Sequence, residues 1–212
     1  MKRLSAIVSL FSLLVLVAAC NDPASDVNKA VTSEAQKAAS PQTAGGQKYA
    51  ITPQNSKIEF IGSKVTGSHN GSFEKFNGEI HYGNNDPAQS HVAITIDATS
   101  VKTDDPKLTE HLKTPDFFDV AKFPDAKFES TAIKAGGEKG ATHTVTGNLT
   151  LHGVTKSITF PATIAVTGDT ATVDASFAIN RKDFGINYPG AQDNLIRDDV
   201  VMKLSIRGNK AS

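Results

Sequence analysis

The chain has 212 residues, and its 22 lysine and arginine residues are balanced by 22 aspartate and glutamate residues. This neutral balance argues against nucleic acid as a partner, because binding a phosphate backbone needs a basic surface. The chain has a single cysteine, so an internal disulfide is excluded and stability has to come from a buried apolar core.

Residues 1–19 have the pattern of a signal peptide. Basic residues at positions 2 and 3 precede an uncharged, apolar run that continues up to Cys20. This run is short for a membrane span and is typical of a secretory leader. The sequence VAAC over 17–20 resembles a lipobox, in which the cysteine thiol receives a diacylglycerol and becomes the N-terminus. A conventional secretory leader followed by a chance cysteine is the alternative.

Acylation of Cys20 would anchor the protein in the bacterial cell envelope, facing the periplasm. The next residue is Asn21 rather than the aspartate that retains many lipoproteins in the inner membrane, which favours the outer membrane. Residues 20–47 are predicted to be the acylated cysteine and a flexible tether, because the segment is polar and has no aromatic residue. A short helix within 27–39 is the alternative.

Apolar and polar residues alternate from Lys48 onward. One example is His91–Ala98, in which Val92, Ile94 and Ile96 alternate with polar or small residues. A period of two predicts strands with one buried face. The pattern recurs over 145–151, 158–166, 173–179 and 200–206, and turn residues separate the runs, so we expect eight antiparallel strands.

One irregularity and one helix are predicted within this β-pattern. Phe73 and Phe76 are out of step, which indicates a bulge or bend between them. Asp105 and Pro106 have the residue types of an N-cap and a first helical position, and the helix should end at Thr114, before a proline.

Two adjacent phenylalanines, Phe117 and Phe118, follow the predicted helix in a loop. Large apolar side chains in a loop either plug a barrel or contact a ligand. Antiparallel strands with one apolar face can form a sandwich or a barrel, and the alternation does not choose between them.

Several blocks of sequence resemble the YceI-like proteins in order and spacing. The blocks are GSFEKFNGEI over 71–80, DATSVKTDDP over 97–106, HLKTPDFFDVAKFPDAKFES over 111–130, GNLTLHGVTKSITF over 147–160 and NRKDFGI over 180–186. The resemblance covers nearly all of 48–208.

This resemblance implies an all-β domain over 48–212, folded as an eight-stranded antiparallel lipocalin-like barrel with one short helix. It also implies that the barrel interior binds a long isoprenoid lipid of the polyprenyl or quinone type. Many members of the family are soluble in the periplasm, so the lipobox of this chain is a departure that changes where the protein would work.

The candidate ligand contacts come from inward-facing strand positions and from the helix and loop block. The predicted apolar lining consists of Phe60, Phe76, Ile94, Ile96, Phe128, Leu149, Phe160, Phe177 and Met202, with Phe117 and Phe118 at the barrel mouth. Any single strand residue of this set could equally belong to a solid core.

The polar candidates for a head group are His111, Arg181 and Asp183. Arg181 could pair with a pyrophosphate, because guanidinium groups bind phosphates with two parallel hydrogen bonds. An ordinary contact between Arg181 and Asp183, or an arginine that caps a strand end, is the alternative, and His111 could simply lie on a helix face.

Enzyme and metal sites are not indicated. The six histidines, at 69, 81, 91, 111, 143 and 152, form no pair at i, i+2 or i, i+4, which argues against zinc. No GxSxG, HExxH, P-loop or dinucleotide fingerprint occurs. We therefore expect no catalytic activity, no metal and no cofactor other than a bound isoprenoid lipid or quinone.

Two functional hypotheses follow from the sequence. In the first, a membrane-anchored protein holds a polyprenyl or quinone chain inside an apolar barrel for storage, presentation or transfer. In the second, the barrel is filled with its own side chains, and the protein is a scaffold or a stress-response partner that acts through its outer surface. The expected partners are the isoprenoid lipid and the membrane, and a homodimer is left open.

Overall fold

The computed structural model describes residues 22–37, 46–84, 86–192 and 194–211. The predicted leader and Cys20 lie outside these residues. The strands are β1 (Asn28–Lys29), β2 (Val31–Glu34), β3 (Gln47–Ile51), β4 (Lys57–Lys64), β5 (Gly67–Phe73), β6 (Phe76–Tyr82), β7 (His91–Asp97), β8 (Val101–Thr103), β9 (Asp125–Ala135), β10 (His143–Leu151), β11 (Val154–Thr167), β12 (Thr170–Asn180), β13 (Gly190–Ala191), β14 (Asn194–Leu195) and β15 (Asp199–Lys210). The α-helix α1 spans Pro106–Leu112, and short 3₁₀ turns lie at Pro23–Asp26, Pro87–Gln89, Ala98–Ser100, Glu138–Gly140 and Arg181–Phe184.

Eight long antiparallel strands close into a barrel. Three of them are interrupted: β3 continues as β4, β5 as β6, and β7 as β8. Each long strand pairs with the next one along the chain, and β15 closes the barrel by pairing with β12 on one edge and with β3 and β4 on the other. The predicted eight-stranded antiparallel barrel is confirmed.

The interruption between β5 and β6 is the predicted irregularity. Phe73 and Phe76 are 7% and 6% exposed, so both side chains are buried although they are three residues apart. Residues at this spacing point to opposite faces of a regular strand. The break at Glu74 and Lys75 shifts the alternation and lets both rings enter the interior.

Helix α1 begins where the sequence predicts it and ends at Leu112, two residues before the predicted end at Thr114. An Asp105 side-chain oxygen accepts hydrogen bonds from the backbone N–H groups of Lys107 at 2.8 Å and Leu108 at 3.4 Å. These bonds satisfy donors that a helix N-terminus leaves unpaired. Leu112 is buried and Leu108 packs against the same core cluster, so the helix lies with its apolar face towards one end of the barrel.

The N-terminal segment differs from the prediction. β11 and β12 pair with each other over 163–167 and 170–174. Outside this range β2 pairs antiparallel with β11, and β1 pairs parallel with β12. The N-terminal segment therefore fills the gap between β11 and β12, which we call the seam. The predicted flexible tether is therefore wrong over 22–37, and so is the alternative helix. The rest of the predicted tether, residues 20, 21 and 38–45, lies outside the described residues.

The seam explains why a polar segment becomes ordered. Two strands that separate leave rows of unpaired backbone groups, and an added strand satisfies them whatever its side chains are. The Ala30 N–H donates to the carbonyl oxygen of Ala178 at 2.8 Å, and the Ala30 side chain is buried in a cluster with Phe160 and Phe177. Among the residues that the structure describes, no helix is long and apolar enough to span a membrane.

We expect Ala30→Asp to weaken docking of the N-terminal segment. The change would place a carboxylate without a partner beside Phe160 and Phe177, at a cost of about 2–3 kcal/mol in the free energy of unfolding. Urea unfolding, together with proteolysis of the segment, measures the effect. Val31→Asp is the control, because the Val31 side chain is 67% exposed and should tolerate the charge. Equal stability of the two variants would contradict a seam position for Ala30.

Candidate ligand-binding cavity

The barrel is hollow at the end that carries α1. The cavity there has a volume of about 410 Å³, which lies within the range of roughly 300–1,000 Å³ typical of small-molecule sites. Its walls are mainly apolar and come from the strands, α1, the loop after α1 and the loop before β15. The apolar lining residues are Phe60, Phe73, Ile96, Leu108, Leu112, Phe117, Phe118, Ala126, Leu149, Leu151, Ile179, Ile186, Tyr188, Ile196, Val200 and Met202.

The opposite half of the barrel is packed with side chains. The rings of Phe160 and Phe177 stack with centroids 4.1 Å apart and planes 13° apart, and Phe128 lies 5.8 Å from Phe160. Gly147 makes room for Phe128, because a Cβ atom at that position would lie 2.4 Å from Phe128 Cζ. A cavity of about 20 Å³ in this half is too small for a lipid. The alternative of a barrel filled throughout is therefore wrong for the half next to α1.

The cavity includes some of the predicted contacts and not others. It is lined by Phe60, Ile96, His111, Phe117, Phe118, Leu149, Arg181 and Met202. Phe76 and Ile94 belong to the core cluster next to the cavity, Phe128, Phe160 and Phe177 fill the packed half, and Asp183 does not line the cavity. The alternation identifies the inward face of a strand but not how far along the barrel the cavity extends, and the structure places these residues outside the cavity lining. Contact of the others with a ligand stays a prediction.

An aromatic cluster lies at the cavity mouth. The His111 and Phe117 rings meet edge to face at 5.0 Å, and Tyr188 lies 5.1 Å from His111 and 5.4 Å from Phe117. Phe118 instead contacts Phe73, at 5.7 Å. The cluster joins α1 and the loop after it to the loop before β15, and among the described residues no backbone hydrogen bond links the first two segments to the third.

Burial separates Phe117 from Phe118. Phe117 is 7% exposed and belongs to the core cluster, whereas Phe118 is half-buried. Tyr188 was missed by the sequence reasoning. The criterion that selected Phe117 and Phe118, a large ring in a loop, applies to Tyr188 as well and could have found it.

Arg181 is held by the protein itself. The residue is 4% exposed, and its Nη1 donates to the carbonyl oxygen of Ile186 at 2.7 Å. Its Nε donates to the carbonyl oxygen of Arg197 at 3.2 Å, and its Nη2 donates to Asp198 Oδ1 at 3.2 Å. Burial lowers the pKa of the Arg181 guanidinium, and the negative charge of Asp198 opposes this shift. Most donors of this side chain are therefore already used to hold the loop before β15.

Asp183 is not the partner of Arg181. Both residues lie in the 3₁₀ turn Arg181–Phe184, in which side chains two positions apart point in different directions. The carboxylate that meets the guanidinium is that of Asp198, which also pairs with Lys182 at 2.9 Å. The alternative of an ordinary contact between Arg181 and Asp183 is therefore wrong.

The histidines near the mouth also have partners. His111 Nε2 lies 2.8 Å from Asp116 Oδ2, and His69 Nδ1 lies 2.8 Å from Asp104 Oδ1. A hydrogen bond from the backbone N–H of Asn70, followed by the contact with His69, lowers the pKa of Asp104. Within the described residues, no group of three or more histidine, cysteine, aspartate or glutamate side chains could hold a metal ion.

Comparison with known proteins agrees with this architecture. Residues 49–207 match the model of the YceI-like domain. The chain belongs to the YceI-like family. A relative, the UPF0312 protein of Pseudomonas putida strain W619, is 38% identical over 136 residues, which are 61% of this chain and 70% of the relative.

Solved structures show the same YceI-like fold. BcnA of Burkholderia cenocepacia is 27% identical and superimposes with a TM-score of 0.66, over 74% of this chain and 98% of BcnA. A polyisoprenoid binding domain from Saccharophagus degradans is 18% identical, with a TM-score of 0.61 over 79% of this chain and all of that domain. At 18% identity, the similarity to the Saccharophagus degradans domain shows a shared fold and nothing more.

We expect Arg181→Lys to lower the free energy of unfolding by about 2 kcal/mol, because an ammonium group cannot reach all the oxygens that the guanidinium fork meets. Thermal or urea unfolding measures the change. Lys182→Met is the matched control, since it removes an exposed ion pair with the same Asp198 and should cost little. An Arg181→Lys variant with normal stability but poor lipid retention would instead make the guanidinium a head-group ligand.

Proposed function

We propose that this YceI-like protein binds a long isoprenoid chain, of the polyprenyl or quinone type, with its apolar tail in the cavity. The observation that carries the proposal is the apolar cavity of about 410 Å³, which opens beside α1 in a barrel whose other half is solid. A one-ended apolar pocket suits a slender tail that enters from one side and leaves its head group at the mouth.

Burial of the tail is the main source of binding free energy in this proposal. Transfer of apolar surface from water contributes about 25 cal/mol per Å², so a tail that buries about 300 Å² would gain roughly 7 kcal/mol before the entropic cost of association. Specific polar contacts are not required for this gain. The description of the Saccharophagus degradans domain as polyisoprenoid binding supports the same ligand class for this chain.

Binding without catalysis is the activity that we propose. Arg181 is engaged by carbonyl oxygens and Asp198, and the histidines at the mouth lie against Asp104 and Asp116. These contacts hold the side chains in place around the mouth, and we propose no catalytic role for them.

We also propose that the protein works at a membrane. Cys20 lies outside the described residues, and its place after an apolar leader supports acylation. The acyl chains would hold the barrel in the cell envelope, facing the periplasm, with the outer membrane favoured by Asn21. Storage, presentation and transfer of the lipid are the roles open to a barrel in that position.

Native mass spectrometry of gently purified protein tests the ligand. We expect a bound species of isoprenoid mass that solvent extraction removes and that approaches one molecule per chain. A protein that has only its apo mass, and that takes up no polyprenol when it is offered, would contradict the proposal.

Phe118→Ala should reduce lipid retention more than stability, because the Phe118 ring lines the cavity and is only half-buried. Phe177→Ala is the control that should affect stability more than lipid retention. It removes a ring from the packed half of the barrel and should lower the free energy of unfolding by about 3–5 kcal/mol. Lipid bound per folded molecule, measured with thermal unfolding, separates the two. Equal lipid retention in both variants would argue against the cavity as the binding site.

Cys20→Ser should release the protein from the membrane, because serine cannot receive the thioether-linked diacylglycerol. Fractionation of the bacterial envelope measures the shift to the soluble periplasmic fraction. Continued sedimentation of the variant with membranes would refute anchoring through Cys20.

A further inference from the structure

Two exposed apolar side chains lie together at the cavity mouth. Among the described residues, three large apolar side chains are highly exposed: Val31 at 67%, Val65 at 45% and Leu195 at 49%. Val65 lies in the turn between β4 and β5, and its N–H donates to the carbonyl oxygen of Leu195 at 3.1 Å. We call Val65 and Leu195 the mouth tip.

The mouth tip is continuous with the cavity wall. Lys64 and Ile196, the chain neighbours of Val65 and Leu195, both line the cavity and form a β-bridge with each other. Thr66 Oγ1 donates to Asn194 Oδ1 at 2.6 Å and joins the two turns a second time. The apolar surface of the tip therefore leads directly to the cavity interior.

The charged groups around the mouth suit a phospholipid surface. Lys64 and Lys107 line the cavity, and neither forms an ion pair with a carboxylate among the described residues. Three carboxylates lie at the same end, but each has a role within the protein: Asp105 caps α1, and Asp104 and Asp116 lie against His69 and His111. Cations beside exposed apolar side chains favour the surface of a membrane with anionic lipids.

The first described residue of the N-terminal segment, Asp22, contacts the loop beside the mouth. Arg197, two residues after Leu195, donates from Nη1 to Asp22 Oδ2 at 3.1 Å, and its backbone N–H donates to the carbonyl oxygen of Ser63 at 2.8 Å. Cys20 precedes Asp22 by two positions in the sequence. Acyl chains on Cys20 would therefore enter a bilayer beside the mouth.

We propose that the mouth tip is a membrane-docking surface, which inserts Val65 and Leu195 into the bilayer interface and turns the cavity mouth towards the lipid. The inference rests on the proposed function, since it assumes the acyl anchor and an isoprenoid cargo. The cargo then passes between bilayer and barrel without exposing its tail to water. A protein partner suits the tip less well, because stable protein interfaces bury more than about 1,000 Å² and the tip consists of two side chains.

The insertion is tested with the acylated, full-length protein on vesicles of phosphatidylethanolamine and phosphatidylglycerol. A fluorophore sensitive to polarity is attached to a Val65→Cys variant, in which acylation blocks the thiol of Cys20. We expect its emission to shift to the blue when vesicles are added. The matched control is Val31→Cys, whose label lies on β2 and should stay in water. No shift at position 65, or an equal shift at position 31, would overturn the docking surface.

Transfer of cargo provides a second measurement. A fluorescent polyprenol is loaded in detergent, and its transfer to vesicles is timed. The double variant Val65→Ser and Leu195→Ser should load normally but transfer about tenfold more slowly, because it lacks the apolar surface that enters the interface. Val31→Ser should behave like the natural chain.

The two measurements separate the docking surface from the lipid site. Normal loading with unchanged transfer in the double variant would overturn the docking surface and leave the lipid site intact. A blue shift at position 65 without loading of polyprenol in any variant would support docking and contradict the proposed cargo.

Discussion

Closure of the barrel by β15 is the constraint on which the rest of the structure depends. β15 pairs with β12 over 199–209 on one edge, and on the other edge it pairs with β4 near its start and β3 near its end. A closed sheet has no free strand edge, and the number of strands sets its inner width. Eight strands enclose space for layers of side chains or for one slender ligand. The side chains that point inward at each level then decide whether that level is filled.

Phenylalanine packing makes the two halves of the barrel different. In the packed half, the stacked rings of Phe160 and Phe177 occupy the interior. At the other end Phe60 lies over Gly71 on the paired strand, where a Cβ atom would come within 2.2 Å of the ring. Because this glycine has no side chain, the Phe60 ring can lie against the wall and line the cavity. The cavity therefore depends on the pairing of Gly71 with Phe60 as much as on the number of strands in the barrel.

Local patterns explain how much could be predicted from the sequence. The alternation in the strands and the pair Asp105 and Pro106 predict strand faces and the helix start, since both depend on nearby residues. The end of the cavity at Phe160 depends on which level of the barrel each strand reaches, and the partners of Arg181 come from a loop without periodicity. The strand at Val31–Glu34 has no pattern of its own, because its pairing depends on the gap between β11 and β12.

The loop before β15 links the cavity to the N-terminal segment. On the buried side of the loop, Arg181 donates to the carbonyl oxygens of Ile186 and Arg197. On its solvent-facing side, Arg197 donates to Asp22. The bonds of Arg181 are buried and charge-assisted, whereas the pair of Arg197 and Asp22 is partly exposed and screened by water. The position of the loop is therefore set by the barrel end, and the N-terminal segment docks on a surface that already exists. Any ligand that moves this loop would change the mouth and the attachment of the N-terminal segment together, because Tyr188 and Arg197 belong to the same loop.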